Sequence, residues 1–296
     1  MTRLPQIALL ADGRRLHLQD GPIDLIIEAR GRADDIRAAY AAAMRRFTGL
    51  LDELCAELAQ LRKPADPVRC SLEGVVARRM HAAVAPFAAD CFITPMAAVA
   101  GSVAEEILGA MLAAASLDSA YVNNGGDIAL HLADSEQFTV GLMDRPDRRG
   151  ALQTMVIKAR DPARGIATSG RHGRSFSLGI ADAVTVLARA ASQADAAATI
   201  IANAVDLPGH PAVLRRPADS LQPDSDLGPR LVTREVGALS PDEIDAALDA
   251  GIVCARQWLG AGLIEAAALR LCGETVIVRA KDARRRTNEL HELAVA

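Results

Sequence analysis

Three short segments hold the residues best suited to chemistry. The first is Tyr121–Leu132, YVNNGGDIALHL, where Asn123, Asn124, Gly125, Gly126 and Asp127 sit between apolar, β-prone arms. Asn-Gly and Gly-Gly reverse a chain through positive φ at no steric cost, so the plain reading is a hairpin turn. The sharper reading is that paired glycines let backbone approach a ligand, with Asn124 and Asp127 supplying an amide and a carboxylate at one spot. The second segment is Thr168–Ser175, TSGRHGRS. Its hydroxyls at Thr168, Ser169 and Ser175, its glycines including Gly170, and the pair Arg171 and Arg174 suit an anion cradle for phosphate oxygens. A solvated basic loop accounts for the same composition. The third is Ala194–Thr199, ADAAAT. Residues four apart on a helix share a face, so the Asp195 carboxylate and Thr199 hydroxyl point the same way. With a backbone carbonyl they form a hard-oxygen set for Mg²⁺. The competing use for Asp195 is as the acid of a capping signature behind Ser192, with Thr199 simply packed.

The elements that must position these segments read as alternating strands and helices. Ile7–Leu10 and Arg15–Leu18 flank the Asp12-Gly13 turn, and Ile23–Ala29 is a third strand. Ala33–Leu61 has apolar residues at helical spacing up to Pro64, and Arg69–Phe87 is a second helix entered through Ser71 and stopped before Pro86. Ser102 and Glu105 form a capping box, S-V-A-E, that starts a helix over Val103–Ala115. Strands follow over Phe138–Met143, Thr154–Lys158 and Ala183–Leu187, with Gly165–Gly173 as a polar loop. AVAGSVAEEI (98–107) and ARAASQADAA (188–197) echo one another, with serines and acids in matching places, which suggests two related strand–helix units. Asp206–Arg230 is a long, proline-bearing loop, and His210 within it is within reach of a ligand role. Ser240-Pro-Asp-Glu243 opens a helix to about Leu248, Val253–Trp258 is another, and Glu274–Val278 is the last strand. One domain over 1–279 is expected, followed by a charged tail, 280–296, open to disorder.

The chain has 296 residues, 50% hydrophobic and 24% charged, with a net charge of −4. That acidic balance, with 3% aromatic residues, argues against a nucleic-acid surface or a stacking platform. Cys55, Cys70, Cys91, Cys254 and Cys272 show no CxxC or zinc spacing, which suits reduced and mostly buried thiols. The apolar run near the N-terminus is too short for a signal-peptide core, and Met96–Ala115 is broken by Glu105 and Glu106. A cytoplasmic protein with no membrane partner is expected. HExxH, GxSxG and Walker-type motifs do not occur, which argues against zinc proteases, esterases and P-loop enzymes.

Taken in order, N-x-G-G-D-I, A-T-S-G and A-D-A-x-x-T make the chain resemble the ApbE superfamily, the FAD:protein FMN transferases. The matching residues are Asn123/Asn124 with Gly125-Gly126-Asp127-Ile128, Ala167-Thr168-Ser169-Gly170, and Ala194-Asp195 with Thr199. The resemblance implies an α+β, ApbE-like fold, FAD or a related flavin nucleotide as ligand, and Mg²⁺ at its diphosphate. It assigns Asp195 and Thr199 as metal ligands, and the Gly125-Gly126-Asp127 turn to the cofactor. Asn123, Asn124, Thr168, Ser169, Gly170 and Arg174 join that cofactor group. The activity it implies is transfer of FMN to a hydroxyl of an acceptor flavoprotein. A segment like H-x-x-D-P-x-T-G-x-P, which supplies a histidine near the reacting phosphate in that family, has no counterpart after Gly170 here. His172 and Arg171 are the candidates to substitute. The alternatives are a flavin- or nucleotide-binding protein without transferase activity and a metal-free enzyme on a small heterocycle. A homo-oligomer is compatible with each.

Overall fold

Asp12-Gly13 closes the first hairpin, as the sequence predicts. Strand β1 (Gln6–Leu9) pairs antiparallel with β2 (Leu16–Asp20), and β2 pairs with β3 (Ile23–Arg30). The computed structural model describes residues 4–143, 151–279 and 285–286. It divides into two compact units, the first made of Met1–Met143, Gly150–Ala167 and Ala188–Ala196. The second comprises Asp144–Arg149, Thr168–Leu187 and Ala197–Ala296.

In the first unit the chain continues through α1 (Ala33–Phe47), α2 (Leu50–Ala56), α3 (Leu58–Leu61), α4 (Val75–Ala88) and α5 (Val99–Ala114). It then forms β4 (Ser119–Asn124), β5 (Asp127–Leu132), β6 (Gln137–Met143), β7 (Ala151–Lys158) and β8 (Gly165–Ser169), the last running into the second unit. The main sheet has the order β1-β2-β3-β4-β5-β8, and β6 and β7 form a separate hairpin. One face of the sheet alternates Leu16, Leu18, Leu25, Ile27, Ala29 and Val122 inward against Phe47, Met80, Ile107 and Met111 of the helices. That period-two pattern fixes which side of each strand meets the core.

In the second unit are β9 (Ala183–Ala188), which ends in the first unit, and the later part of α6 (Ala191–Ala204). There follow β10 (Val213–Pro217), α7 (Ala218–Leu221), β11 (Leu231–Val236), α8 (Pro241–Gly260), β12 (Ala266–Leu271), β13 (Glu274–Arg279) and β14 (Arg285–Arg286). Its sheet runs β9-β12-β13-β14, with β10 and β11 as a separate hairpin. The protein is thus an α+β fold built on antiparallel strands.

Several sequence expectations need correction. The predicted helix 33–61 breaks because Gly49 sits at φ 83. Helix α4 carries Pro86 and continues to Ala88, two residues beyond the proline at which it was expected to stop. Helix α5 starts at Val99 with no side-chain cap, so Ser102–Glu105 is not a capping box. The polar loop predicted from Gly165 begins as strand β8, and the long loop 206–230 contains β10 and α7. The two helices expected over 240–248 and 253–258 are one, α8 (Pro241–Gly260). None of the five cysteines is buried, and Cys55, Cys70 and Cys272 are exposed. Apart from Arg285–Arg286, the predicted tail lies outside the described residues. Pro95–Ala114 has the length and hydropathy (1.5) of a membrane span, but its Glu106 pairs with Arg46 at 2.6 Å and Arg79 at 2.8 Å, and Ile107 and Met111 lie in the core.

At the start of α8 a local capping rule operates in full. Ser240 Oγ accepts the Glu243 N–H, and the Glu243 carboxylate accepts the Ser240 N–H at 2.7 Å. His210 Nε2 lies 2.8 Å from Glu243 Oε1, so this histidine, a ligand candidate in the sequence, ties a loop to the helix start. The Ser240 N–H, followed by His210, holds the Glu243 carboxyl down at about 2. Ser240→Ala should therefore lower stability to urea by about 1 kcal/mol, with an unchanged midpoint counting against this cap.

Candidate functional site

The Asn-Gly-Gly-Asp stretch is a two-residue hairpin turn: Asn124 and Asp127 face each other in register, and Gly125 and Gly126 sit at φ 66 and 114. The Asn123 carboxamide oxygen accepts the Gly126 N–H at 2.8 Å and closes the turn. Asn124 is buried and points elsewhere: its Nδ2 donates to the Ala100 carbonyl at 3.2 Å. The hairpin reading therefore holds, and Asn124 ties the turn to the first residues of α5.

The same spot receives Asp195. Helix α5 opens at Ala98, which has no side-chain acceptor, so its first N–H groups need one from outside. The Asp195 carboxylate supplies it, accepting the Gly101 N–H at 3.0 Å. The exchange is reciprocal. Glu105, nearly two turns into α5, accepts the Ser192 N–H of α6 at 2.7 Å. Each helix start thus borrows its acceptor from the other. Backbones this close leave no room for a Cβ: one added at Gly101 would lie 2.3 Å from the Ala191 carbonyl oxygen. One at Gly165 would lie 2.2 Å from the Ala190 carbonyl oxygen.

Asp195 keeps a partial opening to solvent, yet its carboxyl is surrounded by protein. That burial pushes its pKa well above 3.8, the Asp127 carboxylate pushes it further, and the N–H groups of Gly101 and Ala100 pull it back. What acts on Asp195 is thus desolvation, a second carboxylate and two backbone dipoles. Asp195 and Asp127 offer hard anionic oxygens to a cation at a half-open place, and the donor chemistry fits Mg²⁺. Among the described residues there is no group of three or more His, Cys, Asp or Glu side chains placed as a metal cage. A cation here would complete its shell with hydroxyl, carbonyl, water or substrate oxygens. Thr199 stands one turn after Asp195 on α6.

The remaining predicted residues belong to the second unit. Thr168 is exposed, its hydroxyl 2.9 Å from that of Thr185. Gly170 is at φ 150, and a Cβ there would lie 2.6 Å from the Asp182 carbonyl oxygen. Arg171 Nε donates to Asp182 Oδ1 at 2.8 Å, and His172 Nε2 lies 3.3 Å from the same oxygen. Asp182 Oδ2 accepts the Cys272 N–H at 2.6 Å. Arg171 and His172 are therefore gathered on one carboxylate. Ser169 ends β8, and Arg174 follows in the exposed loop. Sequence reasoning missed Gly101, Glu105 and Asp182. Glu105 was singled out only as half of a capping box, whereas Gly101 and Asp182 carry no local signal.

A family model described as AbpE bacteria matches residues 7–277, and the chain belongs to that family. The resemblance carried by the three motifs is thereby borne out. Among similar proteins is a UPF0280 protein of Methanopyrus kandleri, 38% identical over 183 residues, which are 61% of this chain and 69% of that one. A UPF0280 protein of Methanobrevibacter smithii is 37% identical over 43% of this chain, a match spanning about half of its own length, 51%. Among solved structures, the apo form of the Pseudomonas stutzeri flavinyl transferase ApbE aligns at TM-score 0.48 and 11% identity, over 96% of this chain and 95% of that chain.

Two expected outcomes follow from the crossing. Gly101→Ala should cost about 1–3 kcal/mol by forcing two helix backbones apart; an unchanged denaturation midpoint contradicts the contact. A carboxyl whose folded pKa is raised binds its proton more tightly when folded, so its contribution to stability falls as pH rises above about 4. Asp195→Asn keeps an oxygen for the Gly101 N–H and removes the buried charge. It should leave the metal-free protein as stable as the parent, or more so, at pH 8, with a flatter pH profile. A marked loss at pH 8 would mean that the charge itself serves as the cap.

Proposed function

We propose that the protein binds a flavin nucleotide with Mg²⁺ and transfers FMN from FAD to a serine or threonine hydroxyl of a target flavoprotein. The observation that carries this reading is the Asp195 carboxylate at the opening turn of α5, where it accepts the Gly101 N–H and is raised in pKa by burial first and by the Asp127 carboxylate second. Carboxylates kept close at a cost to the empty protein suit a site whose ligand brings the cation. Membership of the AbpE bacteria family supports the same reading.

In this scheme Asp195, joined by the Thr199 hydroxyl and aided by Asp127, would hold the metal, which would supply positive charge against the diphosphate. The seat of the Gly125-Gly126 turn brings backbone close to the nucleotide without side-chain obstruction. The transfer breaks the phosphoanhydride bond, forms a phosphoester to the acceptor oxygen, releases AMP and gives up the hydroxyl proton. His172 or Arg171 is the candidate to assist at the phosphate. A second reading has its own support: both of these groups are engaged by Asp182. That arrangement favours a flavin- or nucleotide-binding protein without transferase activity.

Incubation with FAD, Mg²⁺ and a candidate acceptor flavoprotein separates the two readings. AMP release with covalent flavin on the acceptor is expected for the transferase, and saturable, Mg²⁺-dependent FAD binding without AMP for the binder. FAD at 100 times its dissociation constant should stabilise the protein by about 2.7 kcal/mol, and EDTA should abolish the shift. A protein whose melting is indifferent to FAD and Mg²⁺ contradicts both. Because the cation competes with Asp195's proton, FAD binding with Mg²⁺ should weaken as pH falls toward the carboxylate range.

A further inference from the structure

The crossing of α5 and α6 pairs two carboxylates that do the same job in different company. Asp195 caps α5 and stands beside Asp127. Glu105 caps α6 and stands beside Arg79, whose Nε lies 3.3 Å from Glu105 Oε2. Arg79 in turn pairs with Glu106 at 2.8 Å, Glu106 with Arg46 at 2.6 Å, and Arg46 with Glu53 at 2.9 Å. All five side chains are mostly shielded from solvent. Glu105 is therefore clamped at one oxygen by a guanidinium network, while the other takes the Ser192 N–H. Ser192 lies three residues before Asp195, within the first turn of α6. A helix start fixed at that N–H fixes the direction in which the Asp195 carboxylate leaves the helix.

On this geometry, and resting on the cation reading of Asp195, we propose that Glu105 is a positioning residue for the metal site. It acts through the Ser192 N–H, and Arg79 holds it in place. Outer groups that orient a ligand set metal affinity without touching the ion, and their loss costs 10- to 100-fold in binding, roughly. Glu105 and Asp195 are thus two halves of one device, the first carrying its cation within the fold and the second open to one from solution.

The test is Mn²⁺ binding in the presence of FAD, followed by electron paramagnetic resonance, at a temperature where circular dichroism shows each variant fully folded. Glu105→Ala should weaken Mn²⁺ binding about tenfold. Glu105→Gln, whose amide oxygen still accepts the Ser192 N–H, should retain most of the affinity. If Glu105→Ala does not fold, Glu105→Asp, too short to span the gap, takes its place with the same expected loss. Wild-type affinity in the alanine or aspartate variant, whatever its melting temperature, overturns the proposal. So does a glutamine variant as weak as the alanine one, because the effect then belongs to charge rather than to the bond. Failure of the parent protein itself to bind Mn²⁺ overturns the metal reading of Asp195, and this proposal with it.

Discussion

The Gly101 N–H at the start of α5 has its acceptor outside its own helix, and much of the first unit follows from how that need is met. An unpaired buried N–H costs about 1–3 kcal/mol, so the acceptor must be present and close. It comes from Asp195 on α6, and α6 takes its own acceptor from Glu105 on α5. Reciprocity demands near contact of the two backbones, which is why residue 101 is glycine and why Gly165 passes so tightly beneath the turn into α6. The Asn-Gly-Gly-Asp hairpin is then drawn in by Asn124, whose amide bonds the Ala100 carbonyl.

The two crossings differ in charge, and that difference is where fold passes into function. Glu105 faces guanidinium groups and is satisfied within the protein. Asp195 faces another carboxylate, and burial with repulsion drives its proton affinity up. A purely structural cap would be served as well by an uncharged acceptor. Keeping an acid there, next to a second acid, costs the protein stability, and under the proposed function a bound cation would return it. The same comparison explains why α5, apolar enough in composition to span a membrane, lies in a protein core instead. Its glutamates carry the ion pairs and the cap that hold the unit together.

Much of the fold was legible because strands and turns announce themselves locally. Asp12-Gly13, the Gly125-Gly126 reversal and the S-P-D-E start of α8 all signal through residues within four positions of one another. What failed was the capping logic of the first unit, and for a physical reason. The N–H groups of Glu73 and Gly74 at the start of α4 are taken by Glu57, that of Gly101 in α5 by Asp195, and that of Ser192 in α6 by Glu105. Acceptors borrowed from distant segments leave no short-range pattern, so Ser102–Glu105 looked like a box and was not one. The candidate site was half legible. Asp195 and Asn124 stood out as chemistry-bearing residues and both bond backbone at the start of α5, with the Asp127 carboxylate near enough to raise the pKa of Asp195. Asp182, which gathers Arg171 and His172, sits in an unremarkable Ala-Asp-Ala-Val run and declares itself only through contacts. Strands β11 and β12 were missed because mixed charge in one and alanine in the other blur the alternation that marks a half-buried strand.

The most direct measurement is a carboxyl ¹³C NMR titration of the protein with Asp195 assigned through its Asn variant, run without and with Mg²⁺ and FAD. The expected result is that Asp195 titrates well above the ordinary carboxylate range, and that the ligands move the transition sharply to lower pH. An Asp195 that titrates near 3.8 in the free protein, or one that Mg²⁺ and FAD leave where it was, would contradict it.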